Sequence, residues 1–362
     1  MSKKRLAMIF PKDSEAMFNV NSLSTFGGAS VQLYLLAREL GQNNQLEILS
    51  IIPDYPVINF PDAGLFTLVK TTPANAGLLT KIRSYNATLR KIKPEYVVQR
   101  GLTLFSCILA LYCRLSKIKF IYMLASDSEA NGRYQRTNRK CALFPLLIHT
   151  ASLLITQNHH QQETLTQRYH TRSELLMSGY EIPAAIPPKT NTALWVGRCD
   201  RMKHPEIFLD LARQMPQIQF VLVCSLGGDA ELNQQIRTQA SALPNVSFND
   251  FIPWAEIDRY FASAKFLINT SDYEGFPQTF VQATKNGTII LSLHANPNNI
   301  LREFECGLCT NGDMVKMRQA LTDLSRTDDA AYRAMSEKAY AYASQYHDIH
   351  SVAKTLTDLI RC

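Results

Sequence analysis

The stretch that most constrains this chain is residues 264–293. Residues 265–270 form a short apolar run that reads as a buried parallel strand, 277–286 read as a helix closed by Gly287, and 288–292 as the next strand. This is one βαβ unit, and it commits the chain to an α/β architecture. Between the first strand and the helix lies Ser271, Asp272, Tyr273, Glu274, Gly275, Phe276, Pro277. Pro277 suits the first turn, where its missing N–H has no intrahelical partner, so the next amides stay free to face an anion. A helix N-terminus at the carboxyl end of a parallel strand is a ready phosphate site. Glu274, just before that end, is either a surface carboxylate favoured by the helix dipole or a group aimed at the same ligand. Gln278 and Gln282 lie four apart on one helix face.

The 362 residues leave room for two domains with separate cores, and 46% hydrophobic against 19% charged residues reads as globular. Strands are expected at 6–10, 46–52, 95–99, 119–123 and 153–156. Helices are expected from Gly28 to a stop at Gly41, and over 78–92, 104–115 and 159–169. The alternation predicts a parallel sheet with helices on both faces. Residues 181–191 hold three prolines without periodicity and read as a linker. Further strands at 193–196, 219–224 and 246–248 precede the opening unit. Helices at 315–324, 331–346 and 349–360 end the chain.

Residues 1–180 carry 21 Lys and Arg against 11 Asp and Glu, whereas residues 181–362 carry 17 against 20. A surplus of ten positive charges in the first half predicts an anionic surface or acceptor there. Lys81, Arg83, Arg90, Lys91 and Lys93 lie on or just past one helix, and Arg114, Lys117 and Lys119 at the end of another. Such clusters are either solvated faces or docking points for anionic lipid. No nucleic-acid motif accompanies them. The apolar run before Pro11 is too short for a secretion signal, and no stretch reaches the roughly 18 uncharged apolar residues of a membrane span. A cytoplasmic protein is expected, at most peripheral to a membrane. The eight cysteines are scattered, and the close pair Cys306 and Cys309 reads as a coincidence in a loop rather than a zinc site.

Three further places bear chemistry. Gly27 and Gly28 open the first helix, where paired glycines either simply make a turn or let a backbone approach a ligand. The strand at 193–196 ends in Gly197 and then presents Arg198 and Lys203, five apart, as two cations for a diphosphate. After residues 121–123 the sequence turns polar, with Asp127 as a candidate for an acceptor hydroxyl or as a cap of the next helix.

Glu274-Gly275-Phe276-Pro277, the following helix and the Gly197-Arg198…Lys203 pair resemble the retaining nucleotide-sugar glycosyltransferases of family 4, of the kind used in bacterial surface polysaccharide assembly. The resemblance implies the α/β GT-B fold, two facing Rossmann-like domains. They would be an acceptor-side domain at 1–182, a donor-nucleotide domain at 183–345 and a C-terminal helix at 346–362 packing back on the first. It implies that Glu274 contacts the donor sugar and that Gly275, Phe276 and Thr279 share that motif. Arg198 and Lys203 would hold the diphosphate, Phe251 and Ile252 would meet the base, and Gly28 would face the diphosphate. The family's second Glu, eight positions after the first, holds the ribose. Gln282 stands there and can still bond a diol, without the charge.

The implied reaction moves a hexose from a nucleoside diphosphate sugar, UDP by expectation, to a hydroxyl of a glycan or lipid-linked glycan. Front-face attack retains configuration, with Glu274 and Asp127 as catalytic residues. No metal and no cofactor are expected, since two cations and a helix N-terminus can offset the diphosphate. The expected partners are the nucleotide sugar, the acceptor and an anionic membrane surface, and no nucleic acid. Two alternatives stay open: a catalytically degenerate GT-B subunit, supported by Gln282, and a GT-B sugar-nucleotide epimerase, which needs acid/base groups in the cleft.

Overall fold

A computed structural model describes residues 3–137, 142–326 and 329–361, so Cys141 and Cys362 fall outside the described residues. The chain divides into two compact units, Met1–Gly179 with Ile349–Cys362, and Tyr180–Asp348. The crossings lie three residues from the expected boundaries, because Tyr180 and Asp348 pair with each other as an isolated parallel bridge inside the second unit.

The first unit holds β1 (Arg5–Ile9), β2 (Glu47–Ile52), β3 (Thr67–Lys70), β4 (Tyr96–Arg100), β5 (Lys119–Met123), β6 (Leu153–Thr156) and β7 (Glu174–Leu175), parallel in the order β3-β2-β1-β4-β5-β6-β7. Its central strands are buried on both faces, which is why they read as continuous apolar runs. The edge strands β3 and β7 escaped the sequence reading because neither carries such a run. Helix Ile349–Arg361 buries Ile349, Val352, Leu356 and Ile360 and packs on helix Gly28–Gln42 of the same unit. Burial of this kind is worth about 2 kcal/mol per large aliphatic side chain, enough to fix the chain's end. His350 Nδ1 meets Glu39 Oε1 at 2.8 Å across that contact.

The second unit holds β8 (Thr190–Arg198), β9 (Gln219–Ser225), β10 (Val246–Asn249), β11 (Ala264–Asn269), β12 (Ile289–Ser292) and β13 (Gly307–Cys309), parallel in the order β10-β9-β8-β11-β12-β13. In both sheets the chain winds outward one way, returns to the centre and winds out the other way. The reversal lies between β1 and β4 in the first and between β8 and β11 in the second. In such sheets, ligands bind at the carboxyl ends of the strands beside the reversal.

Four expectations are corrected. Gly41 does not stop its helix, which continues to Gln42; a Cβ there would lie 2.2 Å from the Leu65 carbonyl oxygen, so the glycine permits a close approach. Pro277 takes the N-cap position with extended backbone, and the helix begins at Gln278. Cys309 belongs to strand β13 rather than a loop, with Cys306 buried just before it. Residues 190 and 191, read as linker, already belong to β8. Among the described residues no helix is long and apolar enough to cross a membrane.

Candidate active site

The second unit's site grows out of the paired strands β8 and β11, in register through Phe266 with Ala193 and Leu267 with Leu194. Their buried apolar faces fix both carboxyl ends, and the two loops that follow are bound to each other. The Trp195 indole donates to Thr270 Oγ1 at 2.9 Å, and that hydroxyl donates to the Lys203 carbonyl at 2.6 Å. The Asp272 N–H donates to the Met202 carbonyl at 3.0 Å. Asp200 caps the short turn Arg201–Lys203 by accepting from the Met202 N–H at 3.0 Å.

His204 follows in the left-handed region at φ 48°, a conformation a non-glycine residue adopts only when its surroundings hold it. Here Glu206 Oε1 lies 2.7 Å from Nδ1 and Asp272 Oδ2 lies 3.0 Å from Nε2. Burial alone lowers the His204 pKa, but hydrogen bonds and charge from Glu206 and Asp272 outweigh it and raise it. The helix Pro205–Gln214 then leaves the edge.

This cross-linking brings Lys203 and Glu274 together. The Lys203 ammonium donates to Glu274 Oε1, and the nearly buried Ser271 hydroxyl donates to the same oxygen at 2.9 Å. The pair is partly desolvated, with 27% of the lysine and 15% of the glutamate side chain exposed, so it interacts more strongly than a surface pair. Arg198 ends β8 with an exposed side chain at the same edge. Arg198 and the Lys203–Glu274 pair thus follow the carboxyl ends of β8 and β11, and helix Gln278–Lys285 begins shortly after Glu274. Thr279 and Gln282 lie half-buried on that helix, and Gly275 is half-buried before it. The Phe276 ring packs 5.5 Å from the His347 ring and lies partly buried against the core of the unit. Gln278 accepts from the Tyr180 hydroxyl at 3.3 Å.

Phe251 and Ile252 lie in the loop after β10 at the same carboxyl edge, with Ile252 buried. Asp250 before them is paired with Arg237. Sequence reasoning missed Ser271 and His204, although a hydroxyl three residues before Glu274 and a histidine next to Lys203 were both visible.

Gly28 belongs to the first unit, where it opens helix Gly28–Gln42. Asp127 also lies there, 5% exposed, in the first turn of a short helix beyond β5. Its Oδ1 accepts from Asn158 Nδ2 at 2.9 Å and from Gln161 Nε2 at 2.8 Å, tying the loops after β5 and β6 together. The carboxyl that borders open space is Glu129, two residues on. It lines a cavity of about 650 Å³ at the carboxyl ends of β1 and β4. Burial pushes the Glu129 carboxyl up to about 7, against the Tyr122 hydroxyl, backbone amides and the Arg100 charge, which pull it down.

Residues 181–342 match the family described as glycosyl transferases group 1. No curated protein matches the chain in sequence. Among solved structures, sucrose-phosphate synthase from Thermosynechococcus elongatus is similar with a TM-score of 0.78 at 16% identity, over 99% of this chain and 98% of that one. HepE from Anabaena, in complex with UDP and glucose, gives 0.75 at 16% identity, over 99% of each chain. WaaG, a glycosyltransferase involved in lipopolysaccharide biosynthesis, gives 0.67 at 16% identity, over 98% of this chain and 99% of that one. At this identity the likeness establishes a common GT-B fold.

Proposed function

We propose that this chain, which has the GT-B fold and whose residues 181–342 match the glycosyl transferases group 1 family, is a glycosyltransferase that moves a hexose from a UDP-hexose to a hydroxyl of a glycan or lipid-linked glycan with retention of configuration, releasing UDP. The observation that carries the reading is the Lys203 to Glu274 contact at the reversal of the second sheet. A diphosphate needs cations and free amides, and a reacting sugar needs a carboxylate to orient it. Arg198, Lys203, the amides after Pro277 and Glu274 supply these at one edge.

An ammonium has three donors, so Lys203 can hold Glu274 and a phosphate oxygen together. Glu274, fixed by Lys203 and Ser271, then orients the sugar ring. Phe251 and Ile252 meet the base, Gln282 bonds the ribose diol, and Gly275, Phe276 and Thr279 shape the loop and helix start around the phosphates. Within the first unit, Asp127 keeps the loops after β5 and β6 in place. UDP is favoured as the nucleotide because HepE, which shares the fold, binds it. Departure of the diphosphate on the side the hydroxyl attacks retains configuration, and the two cations offset its charge without a metal.

The test is a thermal-shift panel of UDP, GDP and ADP sugars on the purified chain, followed by donor hydrolysis. A large stabilisation by UDP-glucose or another UDP sugar, with slow hydrolysis that EDTA leaves unchanged, is expected. Stabilisation without any hydrolysis or transfer would favour the degenerate binding subunit, for which the uncharged Gln282 speaks. Action at a membrane is the finer part of the proposal, supported by the exposed Arg83, Arg90, Lys91 and Lys93 of the first unit.

A further inference from the structure

His204 stands where the two loops of the second unit's site are laced together, and its ring is bracketed by carboxylates. Glu206 Oε1, from helix Pro205–Gln214, lies 2.7 Å from Nδ1. Asp272 Oδ2, from the loop after β11, lies 3.0 Å from Nε2. A neutral imidazole has one N–H and one lone pair, so one of its nitrogens would turn that lone pair on a carboxylate oxygen. The imidazolium donates from both. Among the described residues Glu206 Oε2 is buried with no hydrogen-bond partner, so the ring is what balances that carboxylate. The cations of the preceding turn are paired with other residues, Arg201 with Asp229 and Lys203 with Glu274.

Asp272 lies two residues before Glu274 in the irregular loop 270–277. Three bonds hold that loop to the one after β8: the Thr270 hydroxyl on the Lys203 carbonyl, the Asp272 N–H on the Met202 carbonyl, and the Asp272 carboxylate on His204. The first two join neutral groups and are indifferent to pH near neutrality. The third is charged, and is complete only while the ring holds both protons. Desolvation lowers the His204 pKa, but hydrogen bonds and charge from Glu206 and Asp272 outweigh it and raise it above 6.5. The bridge is therefore complete below 6.5 and is lost as pH rises through the higher value of the folded state. The left-handed backbone at φ 48° is the kind of strain that persists where surroundings fix a side chain in one place.

We propose that His204 is a positioning residue for the transfer reaction: its doubly protonated ring ties Glu206 to Asp272 and so holds the loop that carries Glu274 where Lys203 meets it. This rests on the glycosyltransferase reading above. His204 acts through Asp272 on Glu274, so loss of its charge slows turnover and leaves UDP, held by Arg198 and Lys203, bound nearly as before. A histidine in this place makes the order of the site depend on proton concentration near neutrality.

The test follows kcat for hydrolysis of the UDP sugar that most stabilises the parent, and the Kd of UDP, from about pH 6 to about pH 9. His204→Asn suits the left-handed backbone, reaches Glu206 but not Asp272, and carries no charge. Glu129 of the first unit titrates in the same range, so the quantity read is the ratio of parent to variant kcat at each pH. It should be about ten at the acid end, as for loss of a charged hydrogen bond, and fall to about one at the alkaline end, with Kd within about twofold throughout. Asp272→Ala should behave alike, and the double variant should be no slower than either single one, as for two ends of one bridge. A retained UDP thermal shift shows the variants folded. NMR of the histidine rings reads the bridge without turnover: the resonance missing from His204→Asn should titrate above about 6.5 in the parent and lower in Asp272→Ala. A ratio constant with pH, or a ring that titrates at or below about 6.5, overturns the assignment. If the ring titrates high but the parent turns over no nucleotide sugar, the transferase reading fails instead, and the bridge remains a feature of the fold with no reaction to serve.

Discussion

Lys203 and Glu274, seventy-one residues apart in the sequence, meet side chain to side chain where β8 and β11 end. Neither strand alone specifies the meeting. It follows from strands that are adjacent in the sheet though far apart in sequence, and from the Thr270 and Asp272 hydrogen bonds that lace their loops. The carboxylate is therefore held before any donor arrives.

Lys203→Ala should weaken UDP binding by about 2 kcal/mol, roughly thirtyfold, as loss of a charge-assisted contact does. Arg198→Ala should weaken it in the same direction. Glu274→Gln, by contrast, should keep UDP affinity within about threefold and lose turnover. Calorimetry with UDP beside steady-state rates separates the two; unchanged affinity in both cation variants would remove them from the donor site.

Gln282→Glu should be tolerated and should bind a UDP sugar at least as tightly as the parent, because a carboxylate can accept from both ribose hydroxyls. The half-buried position leaves room for water to solvate the new charge. Nucleotide binding by Gln282→Ala that equals the parent's would show that the residue does not touch the ribose.

Glu129 has a carboxyl raised from 4.5 to about 7 by burial, so the folded state holds its proton more tightly than the unfolded chain does. Its contribution to stability is complete below pH 4.5 and is lost as pH rises through about 7. Arg100 and Tyr122 are the groups that face it. Glu129→Gln lacks this dependence. Unfolding free energies of parent and variant from urea titrations should therefore diverge by about 3 kcal/mol between acid and mildly alkaline pH, the parent falling. Parallel profiles would place an ordinary carboxyl there.

Membrane action is tested by cosedimentation with phosphatidylglycerol vesicles. The Lys81 ammonium is held to the Ala74 carbonyl at 3.1 Å, so Arg83, Arg90 and Lys91 are the more available charges of helix Leu78–Ile92. Binding at low salt that falls steeply as the screening length shrinks below about 8 Å is expected, with loss in the triple Glu variant of these three residues. Protein that stays in the supernatant at low salt would point to an unattached glycan as acceptor.

The sequence by itself determined the repeating unit and much of the loop that carries Glu274. Continuous apolar runs such as β5 and β11 can only be strands buried on both faces, and Glu274, Arg198 and Lys203 announce themselves as charges at the ends of such runs. Helices Leu78–Ile92, Leu104–Leu115 and His159–Tyr169 were legible to the residue because their apolar spacing and flanking residues agree. Tertiary structure alone decided what lies across space. It made strands of the weakly apolar β3 and β7, which gain their hydrogen bonds only from neighbours already in place. It turned Asp127 toward Asn158 and Gln161 and left Glu129 beside the cavity. Two carboxylates in one polar loop look alike in sequence, and which of them faces open space depends on a helix thirty residues away. The Gln99 Oε1 atom is of the same kind: burial and the lack of a partner among the described residues are properties of a position in the fold, which no local pattern encodes.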